Sequence, residues 1–219
     1  IAEKYDNPEG SSTNYNLSVE QPEANPEMKR TVVFIKGTTQ PGQDMFVRGG
    51  IDHAASLSRG INCAAADGSA NYKCAIPMHH RNLKNATTKG WKAGDTFLDW
   101  YGNESTQSAA SQGSPSDWTT NASNYQYTVA NDGFGYDVLN SYGEHFWMLD
   151  VDMDCSKGFA GADGTRWFEI KSYISNGPGW EADVTQKDAP YSSVNHFAKC
   201  GMVNVFERGN STVKYAKLP

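Results

Sequence analysis

The chain has 219 residues, 38% of them hydrophobic and 20% charged, with 21 glycines and a formal net charge of −6. That length suits one large domain or two small ones with a sizeable core. The acidic balance and the lack of a basic run or nucleic-acid motif exclude nucleic acid as an expected partner, and no run of about 18 apolar residues exists to span a membrane.

The chain opens at Ile1 rather than Met, which reads as a mature product or an excised domain. Residues 1–29 are polar, carry Pro8, Pro22 and Pro26, and hold too few apolar side chains to bury much surface. They read as an N-terminal arm or linker, and residues 30–219 as a single domain. Tyr15 to Val19 alternates, so the arm offers an edge strand to its own sheet or to another copy of the chain.

Strands are predicted over Thr31–Gly37 and Asp44–Gly50, paired as a hairpin, with Met45 and Val47 facing the core. Cys74 to His80 reads as a short edge strand because Pro77 cannot donate to a ladder. Phe97–Tyr101 is a further strand. Residues 102–124, rich in Ser, Thr and Gly, read as a long loop carrying Trp118. A weak strand follows over 125–130.

Glu144 to Cys155, EHFWMLDVDMDC, carries the strongest pattern. As a strand it puts Trp147, Leu149, Val151, Met153 and Cys155 on one face and Met148, Asp150, Asp152 and Asp154 on the other. Three carboxylates about 6–7 Å apart repel one another. They call for a hard cation such as Ca²⁺, completed by loop oxygens, or for a solvated face balanced by Lys and Arg. Trp167–Ile174 alternates too, with Phe168, Ile170 and Ile174 inward and Trp167, Glu169, Lys171 and Tyr173 outward. The last two strands, in GMVNVFE and TVKYAKL, form a hairpin around Gly209-Asn210. About eight to ten strands with turn punctuation predict an all-β, antiparallel β-sandwich of the jelly-roll or immunoglobulin-like kind. Long loops and one short helix, near 51–58 or 135–141, complete it.

Cys63, Cys74, Cys155 and Cys200 form an even set without CxxC, which points to two disulfides in a secreted, extracellular protein rather than to zinc. Of the three pairings, Cys63–Cys74 with Cys155–Cys200 is preferred. The first closes a short loop around Asp67-Gly68, and the second ties the acidic central strand to the next-to-last one. Sequons at Asn16, Asn85, Asn103, Asn121 and Asn210 suit export into a glycosylating host.

Catalytic motifs are missing: there is no GxSxG, HExxH, P-loop or dinucleotide fingerprint. The neighbours His79 and His80 face opposite sides of a strand, and His53, His145 and His196 are isolated. Acid pairs such as Asp95 with Asp99, or Glu144 with Asp150, have the residue types for glycoside hydrolysis, but acids are common. The positive signal is aromatic. Trp91, Trp118 and Trp180 stand in polar segments, while Trp167 and Tyr173 fall on an outward strand face. Such rings stack on the apolar faces of sugars, although loops folding over them would also account for them.

The blocks TVVFIKGTTQPGQDMFVRGGIDH, CAIPMHHRNLKNATT, WKAGDTFLDWYGNE, DWTTN, YGEHFWMLDVDMDCSK, WFEIKSYISNGPGWE and APYSSVNHFAKCGMVNVFE resemble, in order, the C-terminal extension of secreted α-amylases of marine γ-proteobacteria. The opening also resembles starch-binding β-sandwich modules. Residues 1–29 and GFAGADGT depart from the pattern. The resemblance implies a β-rich, non-catalytic module exported with a glycoside hydrolase and suited to starch or another glucan. It fixes no binding residues. The reading is a secreted carbohydrate-binding module for an α-glucan or other marine polysaccharide, with Ca²⁺ structural. The alternatives are a secretion-assisting or self-assembling extracellular module, and a polysaccharide-cleaving enzyme.

Overall fold

Period-two alternation decides where the long strands lie, because a sheet buries every second side chain. The computed structural model describes residues 26–51, 74–81, 83–84, 93–126, 128 and 135–219. In chain order the strands are β1 (Met28–Lys36), β2 (Met45–Gly50), β3 (Ile76–His80), β4 (Phe97–Leu98), β5 (Ser114–Pro115), β6 (Asp117–Thr120) and β7 (Gly135–Tyr136), then β8 (Phe146–Asp154), β9 (Phe159–Ala160), β10 (Arg166–Ile174), β11 (Gly179–Trp180), β12 (His196–Lys199), β13 (Val203–Glu207) and β14 (Val213–Ala216).

These strands make two sheets. The eight-stranded sheet runs β14-β13-β1-β8-β3-β4, with β6 and β7 joined through β8; the six-stranded sheet runs β11-β10-β2-β5, with β9 and β12 also on β10. The all-β sandwich is therefore as expected. It is mixed rather than purely antiparallel, since β1 lies parallel to β13 and β6 parallel to β7. β8 is central: β1 covers one edge from end to end, and β6 and β3 share the other.

The core between the sheets takes the predicted inward faces. Val33 and Ile35 of β1 and Trp147, Leu149, Val151 and Met153 of β8 meet Met45, Val47, Phe168, Ile170 and Ile174 of the facing sheet. Burying each such side chain is worth about 1.5–3 kcal/mol. A second cluster lies on the outer face of the large sheet, where Val32, Phe34, Phe146, Met148, Val203 and Val205 are covered by Leu139, Tyr142 and Leu218. The outer face of β8 is thus apolar at its start and acidic toward its end.

Three expectations change. β1 and β2 do not form a hairpin: β2 pairs with β10 and β5, so the connection at 37–44 arches from one sheet to the other. Alternation fixes which face is buried, not which strand is the neighbour, and two stretches that each bury one face can pack face to face as readily as edge to edge. Residues 102–124 are not all loop, because β5 and β6 lie within them. Ser114, Ser116, Asp117, Thr119 and Thr120 are buried despite their polarity, since hydrogen bonds such as Ser116 Oγ to Met45 O (2.6 Å) and Thr119 Oγ1 to Phe146 O (2.6 Å) compensate the loss of water. Third, Gly135–Asn140 holds β7 and turns rather than a helix. The alternative helix position, near 51–58, lies almost wholly outside the described residues, as do 127, 129 and 130 of the weak strand expected over 125–130.

Cys155, which follows β8, bonds Cys200 in the β12–β13 turn, with Cα atoms 5.6 Å apart. This is the pairing expected for these two cysteines. Cys74 is also disulfide-bonded; its expected partner, Cys63, lies outside the described residues. The C-terminal hairpin is present, with β13 and β14 antiparallel.

Candidate functional site

The acidic face of β8 resolves into pairs with donors from this chain. β1 lies against β8 so that Arg30 is the cross-strand partner of Asp152 and Val32 that of Asp150. Arg30 reaches diagonally to Asp150, donating through Nε at 3.0 Å and Nη2 at 2.9 Å. Arg81, at the end of β3, donates to both oxygens of Asp152 at 2.9 and 3.0 Å. Asp154 accepts from the Glu27 amide at 2.9 Å and from the Ser156 amide at 3.0 Å and hydroxyl at 2.6 Å, capping the 3-10 turn Cys155–Lys157. Burial raises the pKa of Asp154, but these donors outweigh it and hold the carboxyl below its ordinary value. Among the described residues no group of three or more His, Cys, Asp or Glu side chains is placed to hold a metal ion.

The arch at 37–44 has a second consequence. It crosses one end of the sandwich, where β10 ends, β6 begins and the chain enters β8. A cleft of about 890 Å³, open to solvent on one side, lies there. Its rings come from Trp118 on β6, Tyr125, His145 and Tyr173 on β10, with buried Phe46 at its base. Its polar groups include Gln40, Gln43, Gln112 and Asn176 as amides, with Ser175 and Asp44.

Local contacts hold these groups in place. Gln43 Nε2 donates to the carbonyl of Asn176 at 3.1 Å, its Oε1 accepts from the Gln40 amide at 2.9 Å, and Asn176 Nδ2 donates to the carbonyl of Gly42 at 3.1 Å. The arch is thereby stitched to the end of β10. Trp118 Nε1–H donates to His145 Nδ1 at 3.1 Å, so that nitrogen carries no proton in this arrangement. The Trp118 ring meets those of Tyr125 and His145 edge-on, at 5.8 and 5.6 Å. Arg48 donates to the Gln112 carbonyl at 2.7 Å and to its Oε1 at 3.3 Å, and its guanidinium lies 5.4 Å from the Tyr173 ring and 4.8 Å from that of Trp180. Burial lowers the Arg48 pKa, opposed by Tyr173 and Asp99.

Backbone strain collects at the same place. Among the described residues, His145 (φ 62°) and Asn176 (φ 53°) are the two non-glycine residues in the left-handed region, and both line the cleft. Such conformations cost about 1–3 kcal/mol and persist where surrounding contacts enforce them.

Of the rings named from sequence, Trp118 and Tyr173 line the cleft. Trp180 is 42% exposed and packs edge-on against Tyr173 at 5.4 Å, beside the cleft. Trp91 lies outside the described residues. Trp167 points outward from the sandwich core as expected but is only 7% exposed. Its ring is packed against Phe197 and Tyr215 with Lys199 Nζ 5.0 Å above it, and it offers no free face. The same layer buries Glu169 beneath Tyr191, Ser193 and Asn195, which donate to its carboxylate. Tyr125, His145, Gln43, Gln112 and Asn176 were not singled out as binding residues. They are far apart in the chain, and the one available signal was the polar turn Gln40-Pro41-Gly42-Gln43.

The acid pairs lie elsewhere. Asp95 is buried between His80 Nε2 at 2.9 Å and Ser114 Oγ at 2.7 Å. Asp99, half-buried, has its pKa pushed up to about 7, chiefly by burial. Asp150 belongs to Arg30, and Glu144 is exposed. His196 and Glu181 form a buried pair at 2.9 Å, both side chains 1% exposed, so no substrate reaches them. Burial raises the Glu181 pKa, but His196 and the amides of Gly209 and Ser172 outweigh it and hold the carboxyl low.

Known proteins add no assignment: no family model, no curated protein and no solved structure matches the chain. The resemblance to amylase extensions stands on the sequence blocks alone. No helix among the described residues is long and apolar enough to cross a membrane.

Proposed function

We propose that this chain is a non-catalytic carbohydrate-binding module of the extracellular space, and that its site is the cleft at the arch end of the sandwich. One observation carries the reading: Trp118 and Tyr173, from opposite sheets, line one open cleft together with Gln40, Gln43, Gln112 and Asn176. Sugars present apolar C–H faces and a rim of hydroxyls that both donate and accept. Aromatic faces meet the first need. Primary amides meet the second, since each offers a carbonyl acceptor and two N–H donors. The cleft lies in the 300–1,000 Å³ range of ligand sites, and its fixed turn contacts reduce the ordering cost of binding. The disulfides suit an oxidising compartment. An α-glucan is the first ligand to try, because the resemblance to amylase extensions implies one.

The test is affinity electrophoresis in gels containing starch or laminarin, repeated with Tyr173→Ala and Gln43→Ala. Retardation of the unaltered chain, reduced in both variants, is expected. Equal migration with and without polysaccharide, across a panel of glycans, overturns the reading.

A further inference from the structure

We infer that the cleft selects uncharged saccharide chains and rejects polyanionic ones, with Asp44 as the residue that sets the choice; this rests on the carbohydrate reading above. Among the described lining residues no lysine or arginine is present and Asp44 is the one carboxylate. A site for uronate or sulfate groups would place guanidinium or ammonium groups in reach of the ligand, since paired charge-assisted hydrogen bonds are how proteins hold carboxylates and sulfates.

The arginine that contacts the lining residues Gln112 and Tyr173 is committed elsewhere. Arg48 spends its donors on the Gln112 and Trp100 carbonyls and the Gln112 side chain, and its flat face lies over Tyr173 and Trp180. It positions an amide and two rings rather than facing the ligand. Arg30 and Arg81 are taken by Asp150 and Asp152. What remains in the cleft is amide, hydroxyl, aromatic and the His145 imidazole, whose Nδ1 is taken by Trp118, plus one carboxylate. For a neutral sugar Asp44 is a strong hydroxyl acceptor. For a polyanion it is a repulsion in a partly desolvated cleft, where salt screens it less than at an open surface.

Trp180 extends the same argument along the ligand. It is 42% exposed and set at 89° to Tyr173, with Arg48 against it, so the aromatic surface continues beyond the cleft. A chain of several units therefore gains contacts that a monosaccharide lacks.

The experiment is calorimetric titration at low ionic strength with matched hexamers: maltohexaose and laminarihexaose against hexaguluronate and hexagalacturonate. A neutral hexamer is expected to bind at least tenfold more tightly than either uronate. Asp44→Asn narrows that gap severalfold, and 0.5 M NaCl narrows it on the unaltered protein, which keeps the test valid should the variant fold poorly. Uronates binding as tightly as the neutral hexamers, a gap that a folded Asp44→Asn leaves unmoved, or a gap on the unaltered protein that salt leaves unmoved, overturns this inference and leaves carbohydrate binding standing. Binding of none of the hexamers overturns both.

Discussion

Asp99→Asn should stabilise the protein, and increasingly so as pH rises. Asp99 is half-buried, its Oδ1 accepts from the Tyr101 amide at 2.9 Å, and its carbonyl accepts from Gly49 of β2 at 2.9 Å. Burial is the largest influence on its carboxyl, which is pushed from 3.8 to about 7; Asp95 and Glu104 add to the rise, while the Tyr101 bond and Arg48 oppose it. The folded chain therefore keeps this proton over a range where the unfolded chain has lost it. Between about pH 4 and pH 7 unfolding releases a proton, so raising pH favours the unfolded state, and the full loss is present above pH 7. At 1.36 kcal/mol per unit the displacement sets a ceiling of about 4 kcal/mol. Solvent screening at a half-buried site brings the expected gain to about 1–2 kcal/mol. Asparagine keeps an oxygen for the Tyr101 amide, so the hydrogen bond survives. Urea unfolding of both proteins from pH 4.5 to 8.5 measures the difference. The two should agree near pH 4.5 and diverge up to about pH 7.5, with the variant the more stable. A constant difference, or a variant less stable at pH 8, refutes the reasoning.

The paired arginines of the acidic face and one glycine give the further expectations. Arg30→Ala leaves the buried Asp150 with its bidentate partner removed and should cost about 2–4 kcal/mol, whereas Arg81→Ala at the exposed Asp152 pair should cost under about 1 kcal/mol; since guanidinium groups meet these acids, melting curves with and without EDTA should superimpose, and a lower melting temperature in EDTA would restore a bound cation to this face. Gly50 has φ +121°, and a Cβ there would overlap the Cys74 carbonyl oxygen. Gly50→Ala should therefore cost at least about 2 kcal/mol in urea unfolding, and a cost within 0.5 kcal/mol would show that the backbone relaxes freely.

The fold was legible where side-chain chemistry alternates. β1, β8, β10 and β13 announce themselves because each buries a continuous apolar face. β5, β6 and β12 do not, for their buried members include Ser114, Thr119 and His196, whose burial depends on partners found only in three dimensions. Trp167 shows the limit of reading exposure from a strand face. Its outward direction was evident, but the covering rings of Phe197 and Tyr215 come from chain 30 and 48 residues away. The site was half legible for the same reason. A tryptophan in a polar stretch is conspicuous, so Trp118 was found. Gln43 and Asn176 are ordinary loop residues until the arch brings them together.

The pairing of β1 with β13 also bears on how the chain comes into being. Val32 and Val203 are register partners, and forming that pairing first would cost about 4–5 kcal/mol in loop closure. Assembly from β8 outward is the cheaper route. While the chain is being synthesised, β1 has β8 on one edge and lacks its partner on the other until β13 emerges. An incomplete chain thus carries an unpaired apolar strand at its sheet edge, open to strand addition by other molecules. Arrival of β13 is what covers the second edge of β1, so truncation before Val203 leaves that edge exposed.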